Sequence, residues 1–216
     1  MNGYAINRAP FNGTGEVTEA PERIVGHNAF RLEVWKENRT VYPWAWYLSR
    51  TFPVISFNAR IRDGRPSYLS AVIHVEGIED EEGYFDKLPP WQPGTGPIRK
   101  SEMRLYHLVV DRSGRERSNL VLSAFVESYR LQHDANRRTY TLTGYKTRTT
   151  YMSRSDTIYP VEIRYTRTGK RIVNCRFSPL IQAGNLGIIP ENDDLIMSTV
   201  NISATNNSIQ CMVQEK

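Results

Sequence analysis

The stretch that decides the fold is PVISFNARI, residues 53–61, followed closely by YLSAVIHVE, residues 68–76. In both segments apolar residues alternate with polar ones. Successive side chains of a strand point to opposite faces of a sheet, so this alternation predicts two half-buried β-strands. The residues between them include Gly64 and Pro66, which predict a turn. The predicted buried faces are Ile55, Phe57, Ala59 and Ile61 in the first strand and Leu69, Ala71, Ile73 and Val75 in the second.

The same alternation recurs along most of the chain. Twelve Tyr, seven Phe and four Trp also favour strands over helices, and no segment carries a helical stripe longer than two turns. About ten strand segments with turn signals between them predict an all-β fold, an antiparallel sandwich or barrel with long loops. The further segments are MRLYHLVV (103–110), NLVLSAFVESYRL (119–131), RTYTLTGYKTRT (138–149), PVEIRYT (160–166), RIVNCRF (171–177), LIMSTVNISA (195–204) and SIQCMVQE (208–215).

Composition divides the chain into an arm, a body and a loop. Residues 1–29 begin with MNGYAINRAPFNGTGE, whose turn-forming Asn-Gly pairs predict an extended N-terminal arm. Pro10 has no N–H to donate, so a strand formed here belongs at a sheet edge. Residues 77–102 combine acidic residues with Pro and Gly, which predicts a long loop or an insertion. The β-rich body comprises residues 30–76 and 103–216, as one unit or as two sub-domains.

Charge and composition favour a folded domain without a nucleic-acid partner. The chain has 216 residues, is 39% hydrophobic and carries a formal net charge of +5. This charge is spread without a basic block, so solvated strand faces are favoured over nucleic-acid contact. The segment TYTLTGYKTRTTYMSR, residues 139–154, has the texture of a stacking, cationic strand face, or of an edge or interface strand. No run of about eighteen apolar residues exists, so no membrane span is predicted.

The residue types that carry catalysis or bind metals are scattered. The four histidines, His27, His74, His107 and His133, match no metal-binding spacing, and no nucleophile or phosphate-binding motif occurs. The carboxylates at 79–82, with Asp86, are candidates for calcium, but they lack the spacing of an EF-hand loop, and a solvated loop is favoured. A second acidic group, residues 191–194, is explained as turn chemistry before a strand. We therefore predict no enzyme activity, no catalytic residue, no cofactor and no metal.

Tryptophan and cysteine are two further residue types that could form binding sites. Trp35, Trp44, Trp46 and Trp91 are either anchors of the core and interfaces or the lining of a carbohydrate cleft, and the first is favoured. Cys175 and Cys211 form no CxxC or Cys/His cluster, which argues against zinc. Both lie in alternating apolar segments, so free buried thiols are predicted, with a disulfide between them left open.

Three segments resemble structural proteins of long-tailed bacteriophages, the distal-tail and hub-like components of the tail tip or baseplate. YAINRAPFNG, residues 4–13, is similar to the I-N-x-x-P-x-N-x openings of such proteins. The C-terminal region is similar to a hub-type pattern in which a strand carrying Cys runs into D-P-x-x-x-P-G-D and a closing hairpin ends in M-x-V-x-E. YRLQHDANRRTYTLTGYKT, residues 129–147, also reads like a strand of such domains. Cys175, Pro179, Gly184, Met212, Val213 and Glu215 fit the C-terminal pattern, whereas Ser178, Ala183 and Asn185 depart from it.

The resemblance implies a structural protein of the virion. It implies a ring-like homo-oligomer that joins the tail tube to hub or fibre proteins, with a hub-like part at about residues 125–216. It also implies synthesis in the reducing host cytoplasm, which agrees with unpaired cysteines and an N-terminus that lacks the features of a secretory signal. Its partners would be copies of itself and other tail proteins. The predicted subunit contacts are Tyr4, Ile6 and Phe11 in the arm and Glu79, Asp80, Glu81 and Glu82 in the loop.

Two other functions remain open at this stage. One is a carbohydrate- or receptor-binding β-module of the virion that uses Trp44, Trp46 and Trp91. The other is a β-rich hydrolase, which needs a pair of acids or a nucleophile next to a base, and the sequence shows no candidate for either.

Overall fold

The computed structural model describes residues 30–38, 45–75, 84–85, 101–110, 115–134, 137–146, 154–205 and 208–216. These residues form twelve strands, and the fold is all-β as predicted. The strands are β1 Phe30–Asn38, β2 Ala45–Arg62, β3 Ser67–His74, β4 Ser101–Val110, β5 Glu116–Asp134, β6 Arg137–Lys146, β7 Ser155–Thr157, β8 Pro160–Tyr165, β9 Arg171–Cys175, β10 Leu186–Ile188, β11 Leu195–Thr205 and β12 Ser208–Glu215.

The first six strands close into a ring. Their order is β1-β4-β5-β6-β3-β2, and β1 pairs back onto β2. All of these pairings are antiparallel. A sheet that closes on itself has no free edge, which is the defining property of a barrel. Strand β6 is paired on both sides, so residues 139–146 of the Tyr- and Thr-rich segment do not form the edge strand that the sequence had suggested.

Strand β2 is shared by the ring and a second part of the sheet. Its residues 45–53 pair with β1, and residues 57–62 pair with β11. A register shift between Val54 and Ser56 lies at the change of neighbour. Such a bulge bends a strand and increases its twist, which lets β2 leave the ring without breaking. The bulge also corrects one prediction: Val54 is buried and Ile55 is only half-buried, because the alternation changes phase between Phe52 and Phe57.

The second part of the sheet continues from β2 in the order β11-β12-β9-β8. The pairs β11–β12 and β8–β9 are antiparallel hairpins. The β8–β9 turn at 168–170 was predicted, and Gly169 takes the positive φ of 78° that this turn requires. The short strands β7 and β10 pair in parallel, an exception in an otherwise antiparallel structure, and β10 joins β11. The acidic residues 191–194 form a turn before β11, as expected.

One continuous hydrophobic core underlies both parts. Inside the ring the predicted face of β3 is fully buried, and Phe85 stacks on Tyr140 with ring centroids 4.0 Å apart. The ring and the second sheet meet where Phe30 contacts both Phe57 and Phe177, at 4.7 and 5.8 Å between centroids. The buried residues on the second sheet and its loops are Ile158, Val173, Cys175, Ile181, Ala183, Ile189, Leu195, Met197, Val200, Ile202, Ala204, Cys211 and Val213.

A glycine allows close packing of two ring strands. Gly144 on β6 lies opposite Val126 on β5. A Cβ at this position would overlap the carbonyl oxygen of Phe125 and lie 2.7 Å from Cε of Met103. Rotation of the new side chain cannot relieve either overlap, because the backbone sets the position of the Cβ. A larger residue at position 144 therefore requires a shift of the β5 backbone and of Met103.

Candidate interaction surface

Strand β8 is the free edge of the second sheet. Within the described chain it pairs with β9 alone, whereas each ring strand has two neighbours. Its side chains are exposed on both faces, apart from the half-buried Ile163. Val161 is 74% exposed and Tyr165 is 69% exposed, and Tyr159 just before the strand is 57% exposed. An edge with exposed large apolar side chains offers both backbone hydrogen bonds and apolar area to another chain.

The backbone groups of β8 alternate between β9 and the open side. The hairpin is closed by the Thr166 N–H, which donates to the Lys170 carbonyl at 2.8 Å. In an antiparallel ladder the hydrogen-bonded pairs recur at every second residue. Arg164 and Glu162 therefore bond towards β9, and the N–H and C=O groups of Ile163 and Tyr165 point to the open side. A register shift between Pro160 and Glu162 leaves Val161 without a partner in β9.

A groove lies beside this edge on the outer face of the sheet. Its volume is about 440 Å³. Val161 forms one wall, and Met212 and Ile209 contribute further apolar surface. Amide, hydroxyl and thiol groups complete the lining. Its remaining lining residues are Asn174, Cys175, Asn201, Ser203, Gln210 and Cys211.

Charged residues of both signs stand on the same edge. The Arg164 guanidinium donates from Nε to Glu162 Oε1 and from Nη2 to Oε2, both at 2.7 Å. Asn174 on β9 donates to the same carboxylate at 2.9 Å. These hydrogen bonds from Arg164, and then from Asn174, lower the pKa of Glu162, and Glu162 in turn raises the pKa of Arg164. Both remain ionised at neutral pH, so the edge carries one charge of each sign.

A stronger ion pair stabilises the opposite end of β9. Arg171 donates from Nη2 to Glu215 on β12 at 2.8 Å. It also donates to the carbonyl oxygens of Asp193 and Asp194, at 2.5 and 2.7 Å, in the turn before β11. The hydrogen bond from Arg171 lowers the pKa of Glu215. One guanidinium thus connects three segments of the second sheet, and it is much less exposed than Arg164.

The two cysteines face each other across β9 and β12. Cys175 and Cys211 are directly paired in register, both are buried, and both are free thiols, as predicted. The hydrogen bond with Cys211 lowers the pKa of Cys175, whereas that same contact and burial raise the pKa of Cys211. Cys175 is therefore the more acidic thiol of the pair.

The outer face of the ring carries a second polar cluster. Trp35 donates its indole N–H to Glu33 at 2.9 Å and lies under the Arg104 guanidinium, 4.2 Å from ring centroid to Cζ. Arg104 also pairs with Glu102 at 2.7 Å. These groups satisfy one another, so they stabilise the β1–β4 pair rather than leave a vacant site. Trp35 therefore packs within the β1–β4 pair.

The other tryptophans, the histidines and the predicted subunit contacts lie partly within and partly outside the described residues. Trp46 lies half-buried near Phe125, and Trp44 and Trp91 fall outside the described residues. His74, His107 and His133 lie on three different strands. No group of three or more His, Cys, Asp or Glu among the described residues is placed to hold a metal ion. The predicted subunit contacts Tyr4, Ile6, Phe11, Glu79, Asp80, Glu81 and Glu82, together with His27, lie outside the described residues.

Sequence reasoning identified β8 as a strand but missed its position at the edge. The available signal was Pro160 at its first residue, because proline at a strand end is typical of edge strands. A further signal was the segment's apolar residues interleaved with Glu162 and Arg164, which suit a strand that is not covered on both faces.

Comparison with known proteins finds similarity in structure only. No protein-family model matches the sequence, and no curated protein matches it. An E. coli type VI secretion component described as similar to the T4 tail proteins gp27 and gp5 has 8% identity and a TM-score of 0.43, over 74% of this chain and 72% of that one. A 43 kDa tail protein of prophage MuSo2 from Shewanella oneidensis has 6% identity and a TM-score of 0.44, over 86% of this chain and 97% of that one.

A third similar structure is a Francisella PdpA–VgrG complex, with 9% identity and a TM-score of 0.35 over 54% of this chain and 15% of that one. Of these three structures, one is described as a prophage tail protein and one as a component of a type VI secretion system. In the described part of the chain, no helix has the length and hydropathy needed to cross a membrane.

Proposed function

We propose that this chain is a non-enzymatic structural component of a bacteriophage tail tip or baseplate. In this proposal it forms a ring with copies of itself and connects the tail tube with hub or fibre proteins. The observation that carries the assembly role is the β8 edge, which pairs with β9 alone among the described residues and exposes Val161 and Tyr165. A surface of this kind is suited to binding a protein chain rather than to chemistry on a small substrate.

The residues of the tail-protein resemblance support the choice of particle. Cys175, Met212 and Val213 all lie in the second sheet, on β9 and β12. Gly184 takes a positive φ of 92° and donates its N–H to the Met197 carbonyl at 2.7 Å, so the glycine of the pattern has a structural role here. Free buried thiols also agree with folding in the reducing cytoplasm of a host before incorporation into the virion.

The proposed ring contacts come from the arm and the acidic loop. Each interface in a ring joins two different patches, so each subunit must supply both a donor and a receiving surface. We assign the donor role to Tyr4, Ile6 and Phe11. The carboxylates Glu79, Asp80, Glu81 and Glu82 would face an Arg-rich surface of the next subunit, which makes assembly sensitive to salt.

The test measures the mass of the particle formed by the full chain. Sedimentation and native mass spectrometry should find a discrete ring. Removal of residues 1–14 should leave the circular dichroism of the body unchanged and abolish the ring. Changing Glu79, Asp80, Glu81 and Glu82 to their amides should weaken the ring in a salt-dependent way, whereas the same change at Glu191 and Asp193, in the turn before β11, should not. A monomer that is retained on immobilised glycans would overturn the proposal in favour of a receptor-binding module.

A further inference from the structure

We propose that the β8 edge pairs with the β8 edge of a second copy, antiparallel across a two-fold axis, with Ile163 opposite Ile163 of the other copy. This contact is isologous, so it differs from the head-to-tail contacts of the proposed ring, although it uses the β8 edge that supports the proposed assembly role. It rests on three properties of β8: the direction of its free backbone groups, its pattern of charge and its exposed apolar residues.

The free backbone groups fit this register. In an antiparallel pair centred on Ile163, that residue exchanges two hydrogen bonds with its symmetry copy, and Tyr165 lies opposite Val161. Ile163 and Tyr165 are the positions whose N–H and C=O groups point away from β9. Val161 is released from β9 by the bulge next to Pro160. Proline at position 160 lacks an N–H, and this register requires no donation from it.

Among the registers centred on Glu162, Ile163 or Arg164, only the one centred on Ile163 places opposite charges opposite each other. Glu162 of one copy lies opposite Arg164 of the other, on both sides of the axis. These are the pairs without backbone hydrogen bonds, whose Cα atoms approach to about 4.5 Å. A slip that centres the pair on Glu162 or on Arg164 places like charges opposite each other. Attraction between Glu162 and Arg164 therefore favours this register, and repulsion between like charges disfavours the two slipped registers.

The apolar residues are matched as well. Val161 and Tyr165, exposed by 74% and 69% in the single chain, lie opposite each other across the pair. The bulge at Val161 interrupts the alternation of faces, and Val161 faces the groove that Asn174 and Met212 also line. The groove beside Val161 leaves room for a side chain of the other copy. The largest exposed apolar surface of the edge is thereby covered by its own symmetry copy.

Disulfide cross-linking between two variants tests the register. Glu162→Cys and Arg164→Cys are made in separate full-length chains, in which Cys175 and Cys211 remain buried. After mild oxidation the mixture should give a cross-linked dimer that peptide mapping assigns to positions 162 and 164. Each variant alone should give little, because its cysteines are then diagonal neighbours about 7–8 Å apart. Absence of the mixed cross-link, or equal cross-linking in either single variant, would overturn the proposal.

Charge reversal tests the energetics with an internal control. Glu162→Arg and Arg164→Glu should each weaken dimerisation at least tenfold, and the double variant should restore it, because each Glu again faces an Arg. Arg167→Glu, in the turn after β8, makes the same change in net charge as Arg164→Glu and should leave the dimer intact. Thermal unfolding confirms that every variant is folded. Failure of the double variant to recover dimerisation would contradict the pairing. A ring that assembles without β8 contacts would overturn the β8 pairing and leave the proposed function intact.

Discussion

The closed ring and the second sheet use the same strand chemistry with opposite results. In the ring every strand has two neighbours, and its interior is filled by residues such as Leu69 and Phe85. The second sheet leaves β2 in one direction and ends at β8, where apolar side chains remain in solvent. Closure spends all backbone donors and acceptors within the molecule, whereas an open end keeps some for another chain. Stability should therefore depend mainly on the ring and association mainly on the sheet edge.

The largest expected effect is a break in the ring. Gly144→Val should lower the free energy of unfolding by about 3 kcal/mol, because the new side chain collides with the Phe125 carbonyl and with Met103. Urea denaturation measures this loss. The control is Gly169→Asn in the β8–β9 turn, where no atom lies within 4 Å of the added Cβ and Asn tolerates the positive φ. Equal losses in the two variants would refute the assignment of stability to the ring.

The second effect is at the junction of the ring and the second sheet. His107 is buried between Phe30 and Phe177, at 5.2 and 5.1 Å between ring centroids. Neither of its ring nitrogens has a hydrogen-bond partner in the described part of the protein. Burial lowers the pKa of His107 to about 4, from 6.5 in a solvated chain. The folded protein therefore binds fewer protons than the unfolded chain between these two pH values.

The sign of the pH dependence follows from this difference. The contribution of His107 to the free energy of unfolding is complete above about pH 6.5 and is lost as the pH falls from there towards 4. Between pH 7 and pH 5 the loss should be about 2 kcal/mol, which urea unfolding at the two pH values measures. The variant His107→Phe should remove this part of the dependence. An unchanged pH dependence in that variant would show that other groups are responsible.

A smaller effect separates two ion pairs of the second sheet. Arg171→Leu should lower the free energy of unfolding by about 1–2 kcal/mol, because carbonyl groups of residues 193–194 and Glu215 lose their partner. Arg164→Leu removes an ion pair of similar geometry that is open to solvent, and we expect no measurable change in the stability of the monomer. Equal destabilisation by both would contradict the difference in burial as the cause.

The smallest effect concerns chemistry rather than stability. Cys175 should react with iodoacetamide before Cys211, because its pKa is lowered by the hydrogen bond that raises the pKa of its partner. Mass spectrometry of a time course at pH 8 gives the order. Labelling of Cys211 first would show that access, and not acidity, decides.

The sequence predicted the buried faces better than the connections. Alternation identified the faces of β3 and most of β2, since each residue reports its own side of a strand. It placed Ile55 on the wrong face because the bulge near Val54 depends on β2 changing neighbours, a tertiary event with no local signal. The ring also depends on the pairings β1–β4 and β3–β6, which join segments far apart in the sequence and have no local signal. The interaction surface was missed for the same reason, because exposure of Val161 follows from topology and not from residue type.

The shared strand β2 also has a mechanical consequence. Its eighteen residues extend about 60 Å as one covalent piece, with β3 on one side of residues 54–60 and β11 on the other side of residues 57–62. A force that pulls the second sheet along the strand direction therefore reaches the ring as shear. Many hydrogen bonds carry this load at the same time. Shear requires these bonds to fail together, whereas peeling breaks them one at a time. The molecule should accordingly resist tension along β2 far better than tension that lifts β8 away from β9.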